Sequence, residues 1–260
     1  MSVITERQSQ VLARLADLGE VSVDDLAASL GVTTQTIRRD LNVLCDTGRA
    51  IRVHGGARAV SSISNVGYEI RRQTFSAQKA AIGAAAAALI PNACSVMVNI
   101  GTTTEHVARA LAAHQDLVVI SNNINVINLL MASPVRELVL AGGVVRPSDG
   151  AVVGDDAVAF IERYKADYAI IGASALDEDG AVLDFDGREV SVARAILRNA
   201  RTKILVSDHT KFSATAPVRI CNIGEIDHFV TDAAPPAAFL EHAMAAGVHI
   251  HVADAGKPHG

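Results

Sequence analysis

The sequence predicts an α/β protein in two parts, a small head of three helices and a hairpin followed by a larger domain on a mainly parallel sheet. Two patterns carry this expectation. Up to residue 58, three short runs with apolar residues at helical spacing are followed by an alternating stretch around a Gly-Gly pair. From Lys79 onward, short β-branched runs alternate with helical segments, which is the signature of a sheet covered on both faces. Half of the residues are hydrophobic but only 3% are aromatic, so the core is expected to be large and aliphatic.

The first helix is expected in ITERQSQVLARLADLG. Thr5 and Gln8 have the spacing of a capping box, Ile4, Val11, Leu15 and Leu18 fall on one face, and Gly19 ends the run. A second helix in VSVDDLAASLG takes Ser22 as its N-cap and places acids in its first turn. Leu26, Ala27 and Leu30 face inward, and Gly31 stops it. Thr33 then caps a third helix, in which Ile37, Leu41 and Leu44 form an apolar face and Gly48 follows the last turn. Burying that face leaves Thr34, Gln35, Thr36, Arg38 and Arg39 outward or at the N-terminal end, where they can meet base edges in a major groove. In RAIRVHGGARAV, Ile51 and Val53 lie among Arg49 and Arg52, and Gly55-Gly56 supplies the positive φ angles of a turn. Three helices and a basic hairpin make a winged helix-turn-helix, with the helix-turn-helix over 20–39 and Arg49, Arg52 and His54 nearer phosphates or the minor groove.

Charge supports the division. The net charge is −5, which argues against a general polyanion binder. Residues 33–60 hold Arg38, Arg39, Arg49, Arg52 and Arg58 against Asp40 and Asp46, a local excess of three positive charges. A basic patch confined to one helix and hairpin is the footprint of a DNA reader with an acidic remainder. No apolar run is long enough to span a bilayer, and the charged N-terminus lacks a signal region. Cys45, Cys94 and Cys221 are odd in number and far apart, giving neither a disulfide framework nor a metal spacing. A reduced, cytoplasmic setting is expected.

The stretch from Glu6 to Ala57 resembles the DeoR family of bacterial transcriptional regulators, with TIRRDLN and RVHGGA carrying most of the likeness. The resemblance implies operator DNA as partner and a repressor of carbohydrate metabolism genes. It also implies a second domain similar in fold to ribose-5-phosphate isomerase and CoA-transferase-like proteins, which binds a phosphorylated sugar. Family members are often dimers or tetramers.

After a connection over 59–76, the expected strands are SVMVNI, LVVIS, ELVLAGG, YAIIGAS, KILVSD and HFVTD. Helices lie in the Ala-rich run 80–90 and in EHVARALAAH, NINVINLLMA, DAVAFIERY and VARAILRNA. A last helix and strand follow in AAFLEHAMAAGVHIHVA, before a loose AGKPHG end. Ligands in such sheets bind at the carboxyl ends of the strands. Gly101, Thr102, Thr103 and Thr104 follow the first strand and open a helix, where backbone N–H groups and the dipole favour an anion. No GxxxxGK[ST] motif is present. A plain turn capped by one threonine is the simpler account, and it leaves two threonines unexplained. Asn122, Gly143 and Arg146, and Asp208 with Lys211 stand after other strands. Arg146 and Lys211 are candidates to neutralise a phosphate, and Asn122 and Asp208 to read hydroxyls. By the resemblance the GTTT loop holds the ligand, supported by Gly142-Gly143 and the DHTKF stretch. This chain departs from the family pattern at Asn99, where Asp is usual, and in Glu189–Ala193, where the Lys of the pattern is replaced by Ala193. The tract 184–188 also differs.

An isomerase with a DNA-binding head is the alternative reading, with Glu189 and Lys211 as acid–base candidates. A protein that only organises DNA, its second domain serving to oligomerise, is a third. A fused DNA reader gives the ligand site a sufficient purpose as a sensor, and fold likeness alone does not license catalysis. His106, His114, His209, His228 and His249 show no metal-ligand spacing. No catalytic residue, metal or cofactor is expected. The expectation is a head over 3–58, a linker over 59–76, and an effector-binding and oligomerisation domain over 77–253.

Overall fold

The computed structural model describes residues 5–18, 20–47, 49–53, 55–59 and 68–254. Ile4, the expected stops at Gly19 and Gly48, His54, residues 60–67 of the linker and the 255–260 tail lie outside them. The chain forms two compact units, Met1–Thr74 and Phe75–Gly260.

In the first unit, α1 (Glu6–Leu18) opens on a reciprocal capping box. The Gln8 N–H donates to Thr5 Oγ1 at 3.2 Å and the Thr5 N–H to Gln8 Oε1 at 3.1 Å. A short strand, β1 (Glu20–Ser22), which the sequence reading missed, precedes α2 (Val23–Leu30). Ser22 caps α2 by accepting from the Asp25 N–H, and Gly31 ends it in the left-handed region at φ 64°. Thr33 caps α3 (Thr34–Asp46), accepting from the Thr36 N–H at 3.3 Å. Ile37, Leu41 and Leu44 are buried, as their spacing requires, and pack with Val11, Leu15, Val21 and Leu26.

The hairpin forms from β2 (Ala50–Val53) and β3 (Gly56–Ala59), with β1 added to give the antiparallel order β1-β3-β2. The two glycines do different jobs. Gly55 takes the positive φ, 78°. Gly56 instead lets the backbone of β1 approach, since a Cβ there would stand 2.1 Å from the Val21 carbonyl oxygen. A helix, α4 (Tyr68–Gln73), lies in the stretch read as linker.

The second unit carries a seven-stranded sheet in which every pairing is parallel. In chain order the elements are α5 (Ser76–Ala87), β4 (Ser95–Val98), α6 (Thr102–Leu111), β5 (Val118–Ser121), α7 (Ile124–Leu130) and β6 (Glu137–Leu140). A β7 (Val144–Arg146) and β8 (Ala151–Val153) hairpin follows, then α8 (Asp155–Ile161) and β9 (Ala166–Ile171). Next come β10 (Ala175–Leu176), β11 (Ala181–Asp184), α9 (Gly187–Arg198), β12 (Ala200–Val206), β13 (Val218–Asn222), β14 (His228–Thr231), α10 (Ala237–Ala245) and β15 (His249–Val252). The sheet order is β15-β14-β12-β9-β4-β5-β6. Each apolar run named above supplies one of its strands. A small antiparallel sheet, β10-β11-β13, and the β7–β8 pair were not anticipated.

The strands are apolar on both faces, because helices cover both. Val96, Val98, Val119, Ile170, Ile204, Val206 and Val230 pack with Ile82 of α5 and Val107 and Leu111 of α6. Met97, Ile120, Ala169, Ile171, Leu205 and Phe229 face the other way, toward α8, α9 and Phe239 of α10. Helices α5 and α6 approach closely at Gly83, where a Cβ would lie 2.6 Å from the backbone of His106.

Candidate DNA-reading helix and effector site

On the head, the residues left outward by the α3 core face form one surface. Gln35, Arg38 and Arg39 are exposed, and Thr34 and Thr36 are half-buried, with Thr36 Oγ1 3.0 Å from Thr33 Oγ1. Arg49 and Arg52 are exposed at the start of the hairpin, and Arg58 stands on β3 directly across from Ile51. The sequence reading overlooked Asp40, which lies on the buried side of α3. Its carboxylate accepts from Arg7 Nε at 2.5 Å and from Gln8 Nε2 at 3.2 Å, tying α3 to α1. Its spacing was the available sign, since Asp40 is three residues after Ile37 and falls on the same face as Leu41 and Leu44, and only its charge argued for solvent.

The carboxyl ends of the parallel strands gather the effector candidates. Gly101, with φ 138°, is the N-cap of α6, and Thr102, Thr103 and Thr104 make its first turn, all three buried. The cap is therefore the glycine and not a threonine. Thr104 Oγ1 donates to the Gly101 carbonyl at 2.8 Å, and the Glu105 N–H makes the first i→i−4 bond. The N–H groups of Thr102, Thr103 and Thr104 precede that bond and point along the positive end of the helix.

Asn122 follows β5 and is fully buried. Its Nδ2 donates to the Val152 carbonyl at 3.1 Å, while its Oδ1 has no hydrogen-bond partner among the described residues. Asn99, after β4, is equally enclosed, and its Oδ1 is also unpartnered. Thr231 at the end of β14 has a buried hydroxyl in the same condition. The Asp208 carboxylate caps the 3-10 turn His209–Ser213, accepting from the Thr210 N–H and hydroxyl. Burial pushes the Asp208 carboxyl up, but Lys211, the Thr210 hydroxyl and Lys79 together hold it below the usual carboxylate range. Lys79, on α5, is buried and close enough to act on both Asp208 and His106, and the sequence reading did not single it out. The signal was available only as a lysine in an apolar helix face.

Arg146 requires a correction. It was expected to offer its charge to a phosphate, but its guanidinium is surrounded by carboxylates. Nε and Nη2 donate to Asp149 at 2.9 and 2.6 Å, Nη1 to Asp186 at 3.0 Å, and Nη2 also to Glu189 at 2.8 Å. The same contacts occupy Glu189, the residue an isomerase reading would need as a base. Gly143 takes φ 139° between β6 and β7, where a Cβ would come within 3.1 Å of Val152. Among the described residues no helix is long and apolar enough to cross a membrane, and no group of three or more His, Cys, Asp or Glu side chains is arranged to hold a metal ion.

Comparison with known proteins agrees with both halves. Residues 7–63 match the DeoR-like helix-turn-helix domain and residues 74–233 the DeoR C-terminal sensor domain. A glycerol-3-phosphate regulon repressor of Haemophilus influenzae is 41% identical over 88% of this chain and 89% of its own. The transcriptional repressor CsqR of Escherichia coli is 39% identical over 89% of each chain. Ribose 5-phosphate isomerase A of Methanocaldococcus jannaschii aligns at 15% identity over 51% of this chain and 52% of its own, with a TM-score of 0.36, too loose a likeness to bear on the site. Both relatives are named as repressors, their likeness runs through both units, and the chain belongs to the DeoR family of DNA-binding transcriptional regulators.

Proposed function

We propose that this regulator is a cytoplasmic repressor whose head, residues 3–58, reads an operator, and whose second domain, residues 77–253, senses a phosphorylated sugar or polyol and forms the oligomer. The segment 59–76 joins them. Thr34, Gln35, Thr36, Arg38 and Arg39 meet the major groove, and Arg49, Arg52 and His54 the phosphates or the minor groove. One such head covers little DNA, so a dimer or tetramer on a repeated site is the functional form.

The observation that carries the sensor half is the first turn of α6. Three buried threonines open a helix at the carboxyl edge of a parallel sheet, with unpartnered amide oxygens at the ends of β4 and β5. Helix N–H groups at such an edge are suited to a phosphate. Gly101 to Thr104 hold that group, Asn122, Asp208 and Lys211 surround the rest, and Gly143 and Arg146 shape the wall through the carboxylates that Arg146 gathers. That curated relatives are named for a glycerol-3-phosphate regulon supports a phosphorylated polyol as the class of effector.

The effector and the operator are linked. A ligand that lowers operator affinity by some factor must itself be weakened by the operator to the same extent. Operator binding followed by fluorescence anisotropy, with and without a panel of sugar and polyol phosphates, tests this. Release by one of them, abolished in Thr103→Ala, is expected. Unchanged operator affinity with every phosphate overturns the sensor assignment and leaves the DNA head standing.

A further inference from the structure

We infer that Asn99 and Asn122 form a hydroxyl-reading subsite, which selects a phosphomonoester carrying a pair of neighbouring hydroxyls. This rests on the proposed sensor function and adds to it the feature of the ligand that is recognised away from the phosphate.

Strands β4 and β5 pair in parallel with Val98 opposite Ser121, so the next residues, Asn99 and Asn122, stand side by side about 5 Å apart. Side chains alternate along a strand. Met97 and Ile120 belong to the core shared with α8–α10, Val98 packs on the opposite face, and Ser121 Oγ donates to the Val98 carbonyl. Asn99 and Asn122 therefore return to the Met97 side together. Each is buried, and each has an amide oxygen with no donor among the described residues. The orientation of Asn122 is fixed, because its Nδ2 is held by the Val152 carbonyl.

Buried acceptors are nearly always satisfied in native proteins, so two orphans on one face of one sheet edge call for two donors from a ligand. Ionised phosphate and carboxylate groups have none to give. An ammonium group would need a counter-charge, and the acids of this edge are engaged. Glu105 Oε1 accepts from Asn125 at 3.0 Å and Asn123 at 3.4 Å, and Asp208 accepts from Thr210. Hydroxyls on adjacent carbons supply two uncharged donors at the needed spacing. The phosphate then lies toward the first turn of α6, which begins three residues after Asn99. Entry requires the β7–β8 hairpin to move, since it bonds Asn122 through both the N–H and the carbonyl of Val152 and follows Gly142-Gly143.

The test is calorimetric titration of the full chain with glycerol 3-phosphate, ribose 5-phosphate, glucose 6-phosphate, propyl phosphate and inorganic phosphate. Propyl phosphate keeps the charge and lacks both hydroxyls. In the native protein the best polyol phosphate is expected to bind roughly 100-fold more tightly than propyl phosphate. In Asn99→Leu that preference collapses, while the unliganded variant melts no lower than the native protein, because an unsatisfied acceptor has been replaced by a hydrocarbon. In Asn99→Asp every phosphate weakens by charge repulsion, yet the polyol preference persists, because a carboxylate still accepts. Equal binding of polyol and propyl phosphates, or a full preference in Asn99→Leu, overturns the subsite and leaves phosphate sensing intact. If Asn99→Leu cannot be purified, loss of the preference in Asn99→Asp overturns it. Binding of no phosphate ester overturns the sensor reading and the subsite with it.

Discussion

Arg7 and Asp40 are 33 residues apart in sequence and 2.5 Å apart in space, Nε to Oδ2, joining α1 to the inward side of α3. Asp40 is buried and also accepts from Gln8, so the rotation of α3 about its own axis is fixed by polar geometry as well as by Ile37, Leu41 and Leu44. Asp40→Ala leaves the Gln8 amide without that acceptor and frees the helix. A lower melting temperature and weaker operator binding are expected, with Asp40→Asn intermediate because an amide oxygen can still accept. Operator titration alongside thermal denaturation checks this. Native operator affinity in Asp40→Ala would remove the orienting role.

Arg38→Ala and Arg39→Ala are each expected to cost about 1–3 kcal/mol of operator binding where a bidentate base contact is lost. Competition with scrambled DNA separates the roles. A loss confined to the operator marks a base contact, and a uniform loss with a shallower salt slope marks a phosphate contact. Full affinity in both variants contradicts the assignment of α3.

Gly83→Ala should destabilise the second unit. Alanine is the better helix former by about 0.5–1 kcal/mol. Against that, its methyl would stand 2.6 Å from the His106 carbonyl, a backbone group that cannot swing aside. Overpacking of this kind costs about 1–3 kcal/mol, so the clash wins. Urea denaturation measures the difference, and a stabilised variant would contradict it.

Stability should fall on acidification through the histidine range. Burial, then Arg109 and Lys79, push the His106 imidazole down to about 4. His228 and His251 are held below the ordinary value by burial and by neighbouring imidazoles. Each binds protons more readily in the unfolded chain, so its contribution is fully present above about pH 7. For His106 it is lost progressively between pH 6.5 and about 4. Melting temperatures across that window should decline, and His106→Gln should flatten part of the slope. An unchanged slope in the variant rejects this cause.

Arg146→Met should be destabilising in a pH-dependent way. Removing the guanidinium takes away the cation that Asp149, Asp186 and Glu189 share, while Arg188 still pairs with Asp186. The deficit is expected to shrink on acidification, as protonation of the carboxylates relieves their mutual repulsion. A deficit independent of pH would mean that packing, not charge, is the role of Arg146.

The inner strands of the main sheet were readable because β4, β5, β9, β12 and β14 carry short apolar runs, rich in β-branched residues and largely buried, whereas the edge strands β6 and β15 are partly exposed. The caps Thr5, Ser22 and Thr33 were readable because capping is local. What escaped notice is either short or distant. β1 and β10 are three and two residues long and owe their existence to partners elsewhere in the chain. Arg146 looked like a free cation because two of its carboxylates, at positions 186 and 189, come from the start of α9, some forty residues on. Asn99 looked like a substitution in a motif, and only its neighbour across the sheet gives it a meaning.

The close approach at Gly83 has a mechanical consequence. With backbone against backbone, α5 and α6 cannot slide past each other and must tilt or shift together. One of these helices begins at the GTTT turn. The other begins at Ser76, two residues after the first unit ends at Thr74. The start of α6 and the start of the second unit's chain therefore belong to one closely packed pair of helices.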